Sequence, residues 1–328
     1  MDEHWLDGLE EAARSVLSAP VHRYIRQGAG SSTSTEEARA AWKRVRFAPH
    51  VLRDVTDVSL ATRLLGCDLS APFGLAPTTL QRAAHPDGEL AMARATAAAG
   101  SLMVVSSNAA SSFTEIGATG VHWWLQAYLP SDRRLAQAGV RRAVQGGAKA
   151  VVLTVDTPVV ASKYDEGSPV WDSVDPAWLR VNFDRGYDDQ PGAEKATDLG
   201  THDICWLAEA TGLPVVVKGV LRPDDARRCV QAGADAVWVS NHGGRQLDRA
   251  VATPTVLESV VAAVAGDAEV YVDGGVRCGT DVLAALALGA DAAFLGRLPL
   301  WALASGEDAV RRMHRELRSQ LTESLRLA

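Results

Sequence analysis

The sequence predicts a (β/α)8 barrel, and three observations carry that prediction. Eight short apolar runs of β-forming residues recur from residue 71 onward. Ala-rich stretches of 3.6-residue periodicity separate them, and strand–helix alternation of this kind builds a parallel sheet with helices outside. The turn after the first run lacks GxGxxG, the dinucleotide-binding signal of an open doubly wound sheet, so eight units favour closure.

The elements follow in order. Residues 1–70 precede the first strand and predict a helical extension that covers the mouth or the bottom of the barrel. Strands are predicted over 73–76, 102–105, 123–127, 150–154, 214–218, 236–240, 269–273 and 292–296. Helices are predicted over 88–98, 132–145, 223–232, 255–264 and 280–288, with Asp132 and Thr280 as N-caps. The connection over 157–200, after strand 4, is rich in Asp, Gly and Pro. It is too long for an ordinary loop in a compact domain and predicts a lid, with a disordered segment as the alternative. Nothing in composition breaks the chain, so 1–328 forms one domain with 1–70 as extension and 157–200 as lid.

Bulk properties exclude several classes of function. Apolar residues make up 47% and charged residues 22% of 328, enough for a large core. A net charge of −7 gives no reason to expect nucleic acid or an anionic membrane as partner. Cys67, Cys205, Cys229 and Cys278 are scattered, without CxxC or metal spacing, and predict reduced thiols and no metal. The acidic start lacks a basic segment followed by an apolar core, and no apolar run approaches the ~18 residues of a membrane span. Together these predict a cytoplasmic protein.

The chemistry belongs at the C-terminal ends of the strands, where such barrels place it. Ser240-Asn241-His242-Gly243-Gly244-Arg245-Gln246-Leu247-Asp248 follows strand 6. Imidazole accepts a proton near neutral pH, and guanidinium holds a carboxylate through two parallel hydrogen bonds. A base beside a carboxylate clamp points to chemistry on the carbon next to an acid group, and the glycines let the backbone turn closely around a ligand. The plain alternative is a loop with a surface His and Arg. Asp273-Gly274-Gly275-Val276-Arg277 and Gly296-Arg297 close strands 7 and 8, and they form either a phosphate cradle of backbone amides and guanidinium groups or a pair of tight turns with solvated arginines. Lys218 ends an apolar strand, where a buried ammonium needs a partner. Asp156 either backs His242 or forms a structural Asp-Thr-Pro turn. Tyr128 meets a substrate or simply packs, and Tyr24, from the residues alone, is core.

The nonapeptide resembles the active-site signature of the FMN-dependent 2-hydroxy-acid oxidase and dehydrogenase family. Further matching pieces are Tyr24 with Gly28-Ala29, Leu75-Ala76-Pro77-Thr78, Ser106-Ser107, Gln126-Ala127-Tyr128, Thr154-Val155-Asp156-Thr157-Pro158 and Val217-Lys218-Gly219, so the resemblance spans nearly the whole chain. It implies FMN at the barrel mouth. Ala76, Pro77, Thr78, Ser106, Gln126, Thr154 and Lys218 would meet the flavin ring, with Ser240 in the same set. Asp273, Gly275, Arg277, Gly296 and Arg297 would meet ribityl and phosphate. The resemblance makes His242 the base, Asp156 its support, Arg245 and Tyr24 the carboxylate grip and Tyr128 the partner of the substrate hydroxyl. It further implies oxidation of an L-2-hydroxy acid to a 2-oxo acid, O2 or another electron acceptor, and a homo-oligomer, tetrameric in the family.

Three positions depart from the family. Lys163 stands where relatives place a second active-site arginine, and lysine cannot reproduce a planar fork. Asn108 replaces a bulky aromatic, and Thr79 stands where alanine or glycine is common. With Lys163 and Asn108 facing the substrate, these departures leave room for a larger biosynthetic or peptide-derived substrate, or for a flavin-binding protein that has lost turnover.

Overall fold

Strands rich in Val, Leu and Trp, buried on both faces, can satisfy their backbone only by pairing with one another, and here they close a complete ring. The computed structural model describes residues 5–164 and 167–328. Residues 1–4 and 165–166, which include the acidic start and part of the predicted lid, lie outside them. The barrel strands are β1 (Phe73–Leu75), β2 (Leu102–Ser106), β3 (His122–Ala127), β4 (Val151–Thr154), β5 (Val215–Val220), β6 (Ala236–Val239), β7 (Glu269–Val272) and β8 (Ala292–Leu295). All eight pair in parallel in sequence order, and β8 closes on β1 through Ala293 opposite Phe73.

Side chains alternate in and out along each strand. Leu102 and Val104 of β2, Val152 of β4, Val216 of β5 and Trp238 of β6 point inward. Their neighbours Met103, Val105, Leu153, Val217 and Val239 face the surrounding helices. The interior is filled largely by aromatic rings: Phe294 lies 4.1 Å from Trp238, 5.4 Å from Tyr271 and 6.0 Å from Trp124 between ring centroids. Gly74 is glycine for that reason, since a Cβ there would lie 2.7 Å from the Phe294 ring.

Five predicted helices are present, Gly88–Ala98 with the predicted bounds and the other four with shifted ends. Asp132 caps as expected, accepting from Arg134 N at 3.0 Å, but it opens a 3-10 turn, Arg133–Ala136, before the α-helix Gln137–Gln145. Thr280 is not a cap. That helix spans Gly279–Ala287, and Cys278 and Asp281 form its capping box. Five α-helices beyond the extension went unpredicted: Gln81–Ala84, Phe113–Ala118, His202–Thr211, Arg297–Leu303 and Glu307–Leu327. The last buries Val310, Met313, Leu317 and Leu321, a stripe of helical spacing. Gly279 lets it approach, because a Cβ there would lie 2.3 Å from Leu321 N.

The extension serves both ends of the barrel. Helices Trp5–Val16, Ala19–Arg26 and Thr33–Trp42 form its first part, and the last two pack near the mouth. A hairpin of Thr62–Leu64 and Cys67–Leu69 plugs the bottom, adding Leu64, Cys67 and Leu69 to the inner core. Glu269, at the start of β7, anchors the plug by accepting from Leu65 N at 3.0 Å and from the Tyr271 hydroxyl at 2.6 Å. The 157–200 connection has no strand or α-helix among its described residues, only three 3-10 turns. It is latched to the body by bridges between Gly30 and Lys163 and between Pro130 and Lys195.

Because Phe294 touches three other inner aromatic rings, Phe294→Ala should lower unfolding stability by about 3–5 kcal/mol, measured by chemical denaturation. A loss below ~1 kcal/mol would show that the interior collapses to fill the void.

Candidate active site

The turn after β6 is built to aim one imidazole. Ser240 follows the strand, and its hydroxyl accepts from His242 N at 3.0 Å. Asn241 accepts from Gly244 N at 3.1 Å and donates to Val251 O at 3.2 Å, which fixes the turn from both sides. His242 itself has φ +58°, a left-handed conformation that a non-glycine residue adopts at a cost of order 1–3 kcal/mol. In that conformation its Nδ1 lies 3.0 Å from Asp156 Oδ1. Asp156 comes from the end of β4, and room for it comes from Gly219 of β5. A Cβ on Gly219 would lie 2.6 Å from the Asp156 Cβ, and its φ is +114°.

The two carboxylate–histidine partners titrate in the directions a base needs. Burial pushes the Asp156 carboxyl up, but His242 and Lys218 outweigh it and hold the group below the usual carboxylate range. Burial also lowers the His242 imidazole below 6.5, with Asp156 opposing only in part. The neutral imidazole donates Nδ1–H to Asp156 and leaves the Nε2 lone pair free.

Lys218 has the partner that its burial demands. Its ammonium lies 3.0 Å from Asp273 Oδ2 and donates to Ser240 Oγ at 2.8 Å, while Ser240 Oγ donates to Asp273 Oδ1 at 2.6 Å. Ser240 is fully buried and does not line the cavity, so its place is behind the wall, holding Lys218, Asp273 and the His242 amide. Asp273 does line the cavity, with one role already taken by Lys218.

Above this layer the extension completes the mouth. Arg245 Nη1 donates to Tyr24 O and Gln27 O, both at 2.8 Å, at the C-terminal end of helix Ala19–Arg26, and its guanidinium stacks 4.9 Å from the Tyr24 ring centroid. Cations suit the negative end of a helix. No described residue accepts from Nε or Nη2, so that edge stays open toward the cavity. Arg297 donates to Ile25 O at 2.9 Å, Gly243 O at 2.9 Å and Gln27 O at 3.2 Å. Gly244 needs to be glycine, but for packing within the protein: a Cβ would lie 2.6 Å from Thr35 N of helix Thr33–Trp42. The expectation that the glycines serve a ligand is therefore corrected for Gly244, whereas Gly243 lines the cavity, where a Cβ would lie 3.1 Å from Arg297 Nη1. Gly275 is likewise pressed against Ala38 of that helix.

One cavity of about 920 Å³ opens at this mouth. Ala76, Pro77, Thr78, Ser106, Gln126, Thr154, Lys218, Asp273, Gly275, Arg277, Gly296 and Arg297 all line it, joined by Tyr24, Tyr128, His242 and Arg245. Its chemistry fits FMN. Burial and a neighbouring arginine push Arg277 down to about 10, and burial, Arg245 and Arg277 hold Arg297 well below its usual value. No described carboxylate forms a salt bridge with Arg277, Arg297 or Arg245, so the cluster calls for an anion. Gly296 lines the cavity with no atom within 4 Å of where a Cβ would stand, and the buried Thr79 hydroxyl has no partner among the described residues.

A second chamber, about 1540 Å³ and open to the surface, sits outside the first and shares Tyr24, Tyr128, His242 and Arg245 with it. Asn108 and Lys163 line only this outer chamber. Lys163 donates to Ala161 O at 3.0 Å and Arg245 O at 3.2 Å, which makes it a brace for the Arg245 backbone. Sequence reasoning missed Lys195 and Arg180 of the same chamber, which lie in the connection where no periodicity marks them.

The buried Lys218–Asp273 pair predicts a stability effect. Asp273→Asn strands an ammonium beneath the cavity and should cost about 3 kcal/mol in chemical unfolding. A change within ~1 kcal/mol would show that Ser240 alone satisfies Lys218.

The chain is similar over nearly its whole length to several known proteins. The chain is 40% identical over 332 residues to glycolate oxidase 3 of Arabidopsis thaliana, covering 97% of this chain and 90% of that one. It is 40% identical over 341 residues to human 2-hydroxyacid oxidase 1, covering 98% and 91%. A crystal structure of mandelate oxidase with (S)-2-phenylpropionate superposes with a TM-score of 0.90 at 39% identity, covering 98% of this chain and 93% of that one. A family model described as FMN-dependent dehydrogenase matches residues 13–328. With its barrel, its cation-lined cavity and its His242–Asp156 pair, the chain belongs to the FMN-dependent dehydrogenase family.

Proposed function

We propose that the protein oxidises an L-2-hydroxy acid to a 2-oxo acid, with FMN as cofactor and His242 as base. The 3.0 Å contact between His242 Nδ1 and Asp156 beside the open edge of Arg245 carries this proposal. Arg245 and Tyr24 hold the substrate carboxylate, and Tyr128 meets the hydroxyl. His242 Nε2 takes up a proton released on oxidation, and Asp156 stabilises the imidazolium that results. Bound FMN supplies the two-electron sink of the reaction. Ala76, Pro77, Thr78, Ser106, Gln126, Thr154 and Lys218 hold its ring, and Asp273, Gly275, Arg277, Gly296 and Arg297 hold its ribityl chain and phosphate. The oxidase names of the relatives favour O2 as electron acceptor.

The outer chamber supports a substrate side chain larger than that of the smallest acids. Asn108 stands at its wall, and Trp171, Phe183 and Tyr187 give it aromatic surface. An intact His242–Asp156 pair argues against lost turnover. Residues 1–328 act as one FMN-binding unit, with 1–70 supplying part of the mouth. A cytoplasmic location is supported by four free cysteines. A homo-oligomer rests on the family resemblance alone.

Anaerobic mixing with a panel of 2-hydroxy acids, including glycolate and mandelate, tests the activity. At least one acid should bleach the flavin and yield the 2-oxo acid; a flavin that no member reduces would overturn the proposal. His242→Ala should retain FMN and reduce it about 10²–10⁴-fold more slowly. Near-normal reduction in that variant would place the base elsewhere.

The pH dependence follows from the lowered His242 value. The neutral imidazole is the active form, so reduction should rise with pH, reach half its maximum below pH 6.5 and stay level through neutrality. Reduction that falls as pH rises through 6.5 would make the imidazolium the active form instead.

A further inference from the structure

Among the cations of the outer chamber, Lys195 is differently placed. Arg180 is paired with Asp188 at 2.7 Å, and Lys163 is engaged by two backbone carbonyls. Lys195 instead sets its ammonium 4.2 Å from the ring centroid of Tyr128 and donates to the hydroxyl of Thr157, the residue after Asp156. It forms no salt bridge with a described carboxylate. Its backbone is laced to the segment just beyond Tyr128: Ser131 N donates to Glu194 O at 2.8 Å, and Ala196 N donates to Leu129 O at 2.9 Å. One side chain thus ties the start of the long connection, at Thr157, to the loop after β3.

We propose that Lys195 is a positioning residue for Tyr128, holding the phenol at the angle from which it meets the substrate hydroxyl. The proposal rests on the role given to Tyr128 above. An ammonium on the face of an aromatic ring is attracted to its negative quadrupole, more strongly where water is scarce. The site is such a place, since burial pushes Lys195 down to about 8 with only partial relief from Asp156. Burial also raises the Tyr128 phenol, so the group stays protonated and available as a donor. Thr157 is buried beside them and completes the clamp, its hydroxyl accepting from the Lys195 ammonium. A tyrosine ring turns about two side-chain bonds. Contact on its face from a residue whose own backbone is pinned removes most of that freedom.

The test uses the FMN-loaded protein and four variants: Lys195→Met, Lys195→Arg, Tyr128→Phe and the Lys195→Met/Tyr128→Phe double. Anaerobic flavin reduction by the best acid of the panel gives the rate, and titration with oxalate, which cannot be oxidised at a CH–OH carbon, gives anion affinity from the flavin spectrum. Lys195→Met should slow reduction ~10-fold, the size of a partly desolvated cation–π contact. Oxalate affinity should change less than ~3-fold, because Arg245 holds the carboxylate. In the Tyr128→Phe background, removing Lys195 should change the rate less than ~2-fold, since coupled groups are not additive. Lys195→Arg, which keeps the charge, should stay near wild type.

Equal rates for Lys195→Met and wild type would overturn the assignment, and so would losses that multiply in the double variant. A parallel collapse of oxalate binding would also overturn it, making Lys195 a direct anion ligand. If Lys195→Met loses FMN, Lys195→Arg decides: a wild-type rate supports the clamp and a ~10-fold loss refutes it. A wild type that no acid bleaches removes the proposed activity and this inference with it. A bleached wild type with an indifferent Lys195→Met removes only the inference.

Discussion

The contact between Asp156 and His242 constrains everything around it at the barrel mouth. It joins the ends of β4 and β6, which are not neighbours in the ring, so the side chains must span β5 between them. Gly219 of β5 gives way by having no side chain, and the strand shifts register there between Lys218 and Val220. His242 gives way by accepting a left-handed backbone, held by the Ser240 and Asn241 hydrogen bonds. Strain of this kind persists only where the surroundings over-determine it. Here the aromatic-filled barrel below and the docked extension above supply that rigidity.

Electrostatically the mouth has two layers. Below, Lys218, Ser240 and Asp273 form a closed, buried set in which the charges are matched. Above, Arg245, Arg277 and Arg297 stand near one another without a salt bridge to a described carboxylate, and burial together with Arg245 and Arg277 lowers the affinity of Arg297 for its proton. The extension keeps this upper layer folded by offering the carbonyls of Tyr24, Ile25 and Gln27 to two of the three guanidinium groups. Carbonyl dipoles orient cations without neutralising them. The mouth therefore keeps a positive field for an anionic cofactor and an anionic substrate, while the imidazole between the layers stays neutral.

The barrel was legible in the sequence because its signal is repetitive. Eight apolar runs, each closed by polar residues, leave few alternatives, and all eight strands appear within a few residues of the predicted places. Helix Phe113–Ala118 was missed because six residues are too few to show periodicity, although Ser112 and Glu115 spell its capping box. Thr280 was taken for a cap because it is a hydroxyl near the helix start, whereas Cys278 occupies the position. The residues of the inner cavity were found through motifs at strand ends. Ser240 was misplaced because a motif carries no side-chain direction. Lys195 left no mark, since its role depends on a latch to residues 129–131, more than 60 positions earlier. Gly244 is necessary for a reason the sequence does not show, since its close neighbour is helix Thr33–Trp42, whereas Gly243 borders the cavity beside Arg297.

If the Asp156–His242 contact organises the chemistry, removing one charge from it should be felt in both rate and titration. Asp156→Asn, loaded with FMN and reduced anaerobically across a range of pH, measures both at once. Loss of the carboxylate removes the group that raises the His242 pKa, so the acid limb should move to lower pH. The plateau rate should fall by ~10²–10⁴-fold, because the imidazolium formed on proton uptake loses its counter-charge. An unchanged limb together with a plateau near wild type would contradict the account and leave His242 working without Asp156.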